Sequence, residues 1–209
     1  LEKDLINALK ETFNEFFTEK NLDDYTSMVN DHHFERMDTY IQDAKDKGAE
    51  VIDLSPIDDS NKNIMSTKIL LNVNDDMLVM KEEIFGPLLP LKVYDELSEV
   101  VNYINNHDHP LGLYFFGSSR KEQDYVINNT RSGGVTINDV MFHLMQSELP
   151  FGGVGPSGNG HYHGYEGFLN FSNLRSIYYQ TKVDTIFGIL RPPRKKSFEI
   201  LSKIMKKLS

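Results

Sequence analysis

Helix-spaced apolar residues alternate with short apolar runs along most of this chain, and that alternation restricts the folds open to it. Leu5, Ile6, Leu9, Phe13, Phe16 and Phe17 recur at helical spacing, which predicts an amphipathic helix over the N-terminal residues. Residues 34–47 read as a second helix, closed by Gly48 just past its end and followed by a strand at 50–54. Residues 55–63 are polar, with Pro56 and adjacent Asp58 and Asp59, and read as a loop. Strands are expected at 68–73 and 88–94, the second interrupted by Pro90 and therefore an edge or bulge. A helix at 97–105, a strand at 113–116, a helix at 119–128 and a short buried strand at 135–137 complete the pattern. The expected fold is α/β, a mostly parallel sheet flanked by helices.

Composition narrows the class. At 209 residues, 39% hydrophobic and 25% charged, the chain can bury a sizeable core and is not of a disordered type. A net charge of −9 argues against nucleic acid as a partner. The chain has no cysteine, so disulfides and thiolate metal sites are excluded, which fits a cytoplasmic protein. No apolar run approaches the length of a membrane-spanning helix. The sequence opens at Leu1 inside a helix and without an initiator methionine, so we expect a piece of a longer protein.

Three places could carry chemistry. The first is Glu82-Glu83-Ile84-Phe85-Gly86-Pro87, a turn signal leading into a strand. It reads either as a solvated acidic pair beside a core phenylalanine, or as a carboxylate for ligand hydroxyls with a ring for a planar group. The second begins with Asn138-Asp139 at the end of the 135–137 strand, where open α/β sheets build their sites. Either residue could equally cap a turn. It leads into residues 149–161, which hold five of the chain's 14 glycines. Glycine this dense is tolerated where backbone turns tightly or approaches something closely. The run is neither a P-loop nor a dinucleotide fingerprint. The third is the histidines, His32–His33, His107/His109 and His161/His163. None has the spacing and acidic partner of a zinc motif, so no metal is expected.

These residues, taken in order, resemble the aldehyde dehydrogenase superfamily. The strings Glu82-Glu83-Ile84-Phe85-Gly86-Pro87, Ser132-Gly133-Gly134-Val135-Thr136-Ile137-Asn138-Asp139-Val140 and Leu149-Pro150-Phe151-Gly152-Gly153-Val154-Gly155 follow in that family's order, the last continuing to Ser157-Gly158. His163-Gly164, Phe168, Phe171-Ser172, His33-Phe34-Glu35-Arg36 and Lys47-Gly48-Ala49 extend the match, over about residues 1–180, toward the class 3 branch and its bacterial coniferyl aldehyde dehydrogenases. The resemblance implies oxidation of an aldehyde, coniferyl or another aromatic or aliphatic one, to a carboxylate with NAD or NADP. A cysteine thiolate attacks through a thiohemiacetal. It further implies that Glu83 binds hydroxyls of the nicotinamide ribose, that Phe85 holds the nicotinamide end, and that Phe151 shapes the substrate tunnel. Asn138 is a structural or pocket-lining residue.

The same resemblance places the nucleophile further upstream than the 82 residues before Glu83 allow, along with the cofactor domain, the general-base glutamate and the oxyanion asparagine. No catalytic residue is therefore expected within the chain, its own cofactor binding is in doubt, and the 209 residues alone should be inactive. Expected divisions are a catalytic portion at 1–167, an oligomerisation strand within 168–190 that pairs a homodimer through 168–180, and a basic amphipathic tail at 191–209. That tail holds seven basic residues and one acid. It reads as a helix docked on the acidic protein or frayed in solvent, in preference to one lying on a membrane surface. The competing functional reading is a non-catalytic binding or assembly module that keeps the fold.

Overall fold

In the computed structural model, residues 1–17, 24–54, 57, 63–180, 182, 188 and 191–208 are described. They form two units, Leu1–His107 and Asp108–Ser209.

The first unit is built around one buried strand. Strand β1 (Glu50–Asp53) pairs antiparallel with β2 (Lys68–Leu71), and β2 pairs parallel with β3 (Leu88–Pro90), giving the order β1-β2-β3. All four residues of β2 are buried. Side chains alternate across a strand, so the run Lys68-Ile69-Leu70-Leu71 feeds two cores. Leu70 packs with Met37, Tyr40, Ile41 and Ala44 of α2 (Asp31–Asp46). Ile69 and Leu71 pack with Ile6 and Phe13 of α1 (Glu2–Phe16). A continuous apolar strand is thus explained by helices on both its faces. Each such aliphatic side chain contributes about 1.5–3 kcal/mol of burial. Pro90 lies in β3, an edge strand of this sheet, where its missing N–H is tolerated, as the sequence predicts.

Helix ends follow local chemistry. Asn30 caps α2 by accepting the His33 N–H at 2.8 Å, so the helix starts ahead of the expected position 34. It stops where Gly48 takes φ +96°, a left-handed conformation that glycine adopts without a Cβ penalty. Short α3 (Leu78–Lys81) and α4 (Leu97–Asn105) complete the unit. The loop expected at 55–63 falls mostly outside the described residues.

In the second unit, β4 (Gly112–Phe115) and β5 (Gly134–Ile137) pair in parallel, joined through α5 (Arg120–Asn129). Ser119 caps α5 through the Glu122 N–H. Short α6 (Phe142–Met145) and α7 (Gly164–Asn170) follow, and α8 (Lys196–Leu208) is the helix expected of the basic tail.

Two expectations need correction. The 135–137 strand is half-buried rather than buried, since β5 pairs with β4 alone among the described residues. The strand expected at 168–180 is not formed: residues 168–170 belong to α7, and 171–180 carry no strand ladder. Extended backbone becomes a strand only where a neighbour's N–H and C=O groups complete its ladder, and 171–180 have no such neighbour among the described residues. Much of 181–190 lies outside the described residues.

Candidate functional site

The acidic turn of the first unit is assembled by one face of α2. His33, Arg36, Met37 and Tyr40 fall at the spacing that lines one helix face, and each meets a residue of 82–86. Tyr40 donates its hydroxyl to Glu82 Oε2 at 2.5 Å. Arg36 donates from Nη2 to the carbonyls of Glu83 (3.1 Å) and Ile84 (2.7 Å), and from Nη1 to the Tyr40 hydroxyl (2.9 Å). His33 Nε2 donates to the Phe85 carbonyl. A Cβ on Gly86 would sit 3.0 Å from Met37 Cγ and closer still to its sulfur, so glycine permits this approach. Burial of Tyr40, and next its bond to Glu82, push the phenol above its ordinary pKa.

This arrangement separates two adjacent acids that residue spacing alone leaves equivalent. Glu82 is held by Tyr40, whereas Glu83 makes no side-chain hydrogen bond or ion pair among the described residues and is exposed. Phe85 is 73% exposed and holds φ +47°. A bulky residue in the left-handed region costs about 1–3 kcal/mol. Burial recovers little of that at 73% exposure, and the clamp on the surrounding carbonyls holds it there. Phe85, Gly86, Pro87, His33 and residues 26–29 line a cavity of about 510 Å³. An exposed carboxylate two residues before an exposed ring that lines a cavity fits a ligand with a flat aromatic end and neighbouring hydroxyls, as the nicotinamide riboside end of NAD or NADP has.

In the second unit the glycine run closes on itself. Phe151 and Tyr162 exchange both backbone hydrogen bonds, at 2.8 and 2.9 Å, across an isolated bridge. Inside that closure Ser157 Oγ accepts from the Val154 N–H (2.9 Å) and donates to the Val154 carbonyl (3.2 Å). Phe151 is half-buried among rings, 5.3 Å from Tyr162, 6.0 Å from His143 and 6.2 Å from His163. His143 is fixed by a 2.8 Å bond between its Nδ1 and the Thr136 hydroxyl. Asn138, at φ +58°, accepts the Gly117 N–H at 2.8 Å and ties the turn after β5 to that after β4. Its side chain is committed to backbone.

Spacing alone did not mark Arg36 and Tyr40, nor the network around Asp75. Asp75 accepts from Lys92 (2.8 Å) and Tyr103 (2.7 Å). Those bonds hold its carboxyl below the usual range. For Arg36 the one available signal was the string His33-Phe34-Glu35-Arg36.

The chain is similar to known proteins over most of its length. The model of the aldehyde dehydrogenase family matches residues 1–177. A probable coniferyl aldehyde dehydrogenase of Caulobacter vibrioides is 48% identical over 184 residues, covering 85% of this chain and 38% of its own length. Aldehyde dehydrogenase family 3 member A2 of Mus musculus is 36% identical over 200 residues, 94% of this chain and 40% of its own. The substrate-bound structure of Staphylococcus aureus AldH superposes with a TM-score of 0.77 at 33% identity, covering 97% of this chain and 44% of that one. The chain therefore spans about two-fifths of the length of the relatives it matches. With the motifs in order, the fold shared and the family model spanning most of its residues, this chain belongs to the aldehyde dehydrogenase family.

Proposed function

We propose that residues 1–209 serve an NAD(P)-dependent aldehyde dehydrogenase by presenting Glu83 and Phe85 to the cofactor and Phe151 to the substrate. The observation that carries this reading is the division of the acidic pair: Glu82 is spent on Tyr40, and Glu83 stands free beside an exposed ring. Glu83 accepts hydrogen bonds from the ribose hydroxyls, each such charge-assisted bond contributing about 1.5–3 kcal/mol. Phe85 packs its face on the nicotinamide end and excludes water there, for about 0.5–1.5 kcal/mol. When bound, that ring supplies the hydride acceptor. Phe151, set by its backbone bridge to Tyr162, forms one wall for the aldehyde, an aromatic one of the coniferyl type being favoured by the flanking rings.

Aldehyde oxidation by this route needs a thiolate, and the chain has no cysteine. The nucleophile comes from outside these 209 residues, which do not turn over aldehyde by themselves. The division into a catalytic portion at 1–167, a bridging segment at 168–190 and a tail at 191–209 belongs to the same reading. So does homodimer formation through 168–180. Phe171 and Tyr179 are each 85% exposed there, with Leu174, Ile177 and Tyr178 beside them. No helix among the described residues is long and apolar enough to cross a membrane. With the cysteine-free composition we place the protein in the cytoplasm.

The test compares two samples with a cinnamaldehyde-type substrate: the 209-residue chain, and an enzyme joining it to its cysteine-bearing part. The joined enzyme should form NADH or NADPH only when aldehyde is present, and Phe85→Ala should raise its cofactor KM. Turnover by the pure 209-residue chain, or wild-type cofactor kinetics in Phe85→Ala, would overturn the proposal.

A further inference from the structure

The left-handed backbone at Phe85 needs a cause that its own side chain does not supply. The ring is 73% exposed, so its burial does not drive the conformation. Three consecutive carbonyls, those of Glu83, Ile84 and Phe85, instead turn toward α2 and accept from two of its side chains. His33 takes the last carbonyl and Arg36 the first two, from positions one helical turn apart. Met37 packs against Gly86, and Tyr40 takes Glu82 one turn beyond Arg36. The helix and the turn run in opposite senses, so each grip fixes a different residue of the turn. Arg36 is itself oriented: its guanidinium lies 5.1 Å from the centroid of the Tyr40 ring and donates to the Tyr40 hydroxyl.

We propose that His33 and Arg36 are positioning residues, which hold the 83–85 backbone so that the Glu83 carboxylate and the Phe85 ring face the cofactor in fixed relation. This rests on the cofactor reading given above. Both act on the turn through its main-chain carbonyls, and His33 also lines the cavity beside Phe85. Each donor is specific in its reach. A lysine at 36 lacks the planar fork that serves the Tyr40 hydroxyl and two carbonyls at once, whereas a glutamine at 33 offers an N–H near the place of His33 Nε2.

The experiment uses the 209-residue chain with all 13 phenylalanines replaced by 4-fluorophenylalanine. The Phe85 fluorine resonance is assigned by its loss in Phe85→Leu. Spectra and thermal midpoints are then compared for wild type, Arg36→Met, His33→Phe and His33→Gln, the fourteenth fluorine of His33→Phe being assigned by its loss in His33→Leu. We expect the Phe85 resonance to shift or broaden in Arg36→Met and in His33→Phe, with resonances distant from the turn unmoved. His33→Gln should restore the wild-type position. Should Arg36→Met fail to fold, the pair at position 33 carries the test alone. An unmoved Phe85 resonance in His33→Phe, or the same displacement in His33→Gln, would overturn the proposal. No ligand is added, so this outcome is separate from the cofactor kinetics of Phe85→Ala. A displaced resonance alongside unaltered Phe85→Ala kinetics leaves the clamp standing and removes the cofactor reading.

Discussion

Gly153 and Gly155 lie two residues apart in one loop, and the structure predicts that alanine at each will fail for different reasons and by different amounts. A Cβ on Gly153 would sit 2.5 Å from Gly158 N and nearer still to the Ser157 carbonyl. Carbon needs about 3.3 Å from such backbone atoms, so the overlap is at least about 0.8 Å. All of the atoms met are main chain, and none can swing aside. The loop must open, and the two Ser157–Val154 bonds and the Gly158–Gly155 bond go with it. With about 1 kcal/mol per bond and about 1–3 kcal/mol for overpacking, Gly153→Ala should cost about 3 kcal/mol or more. A Cβ on Gly155 meets nothing within 4 Å, and only its φ of +62° opposes a side chain. Gly155→Ala should therefore cost about 1 kcal/mol, and Gly155→Asn less, because asparagine tolerates this region. Urea unfolding followed by assigned amide signals of 108–209 lets this unit report by itself. A Gly153→Ala chain as stable as Gly155→Ala would refute the steric argument.

Other outcomes follow from the same packing and charges. Leu70 is fully buried, and Leu70→Ala should destabilise the first unit by about 3 kcal/mol in urea unfolding. Asp43, Asp53 and Asp75 all have lowered pKa values: Asp43 through Lys47 and the Leu78 N–H, Asp75 through Lys92 and Tyr103. Asp53 is pushed up by burial but pulled down further by Lys68 and Ser66. Their stabilisation is present above the unfolded carboxylate pKa of about 3.9 and lost as pH falls through the folded values. Acid unfolding of the first unit should thus begin below about pH 4, and Asp53→Asn should flatten that limb. Sedimentation should show concentration-dependent self-association of the chain, abolished by Ile177→Asp; a wild-type monomer at high concentration would contradict pairing through 168–180.

The elements that were legible in the sequence are those whose pattern is local. The helix at 97–105 coincides with α4, and the strand and helix positions around β2, β4 and α5 shift only at their ends. Four-residue helices such as α3 and α6 complete hardly one turn, and no apolar period can announce them. The stretch from Phe168 was expected as a strand because it resembles the family's oligomerisation strand, but strand geometry also requires a partner. In the candidate site, the family resemblance singled out Glu83 and Phe85, whereas residue spacing by itself left Glu82 and Glu83 alike. That distinction comes from Tyr40 and Arg36, more than forty residues earlier in the chain, through contacts that no local pattern encodes.

The central claim is that Glu83 meets the cofactor while Glu82 serves the fold. Steady-state kinetics of Glu83→Gln and Glu82→Gln in the cysteine-bearing enzyme, with thermal midpoints measured alongside, test it most directly. Glu83→Gln should raise the cofactor KM about tenfold, the effect of one charge-assisted hydrogen bond, with the midpoint and the aldehyde KM unchanged. Glu82→Gln should instead lower the midpoint by loosening Tyr40. The opposite assignment, with kinetics damaged by Glu82→Gln and untouched by Glu83→Gln, would contradict the account.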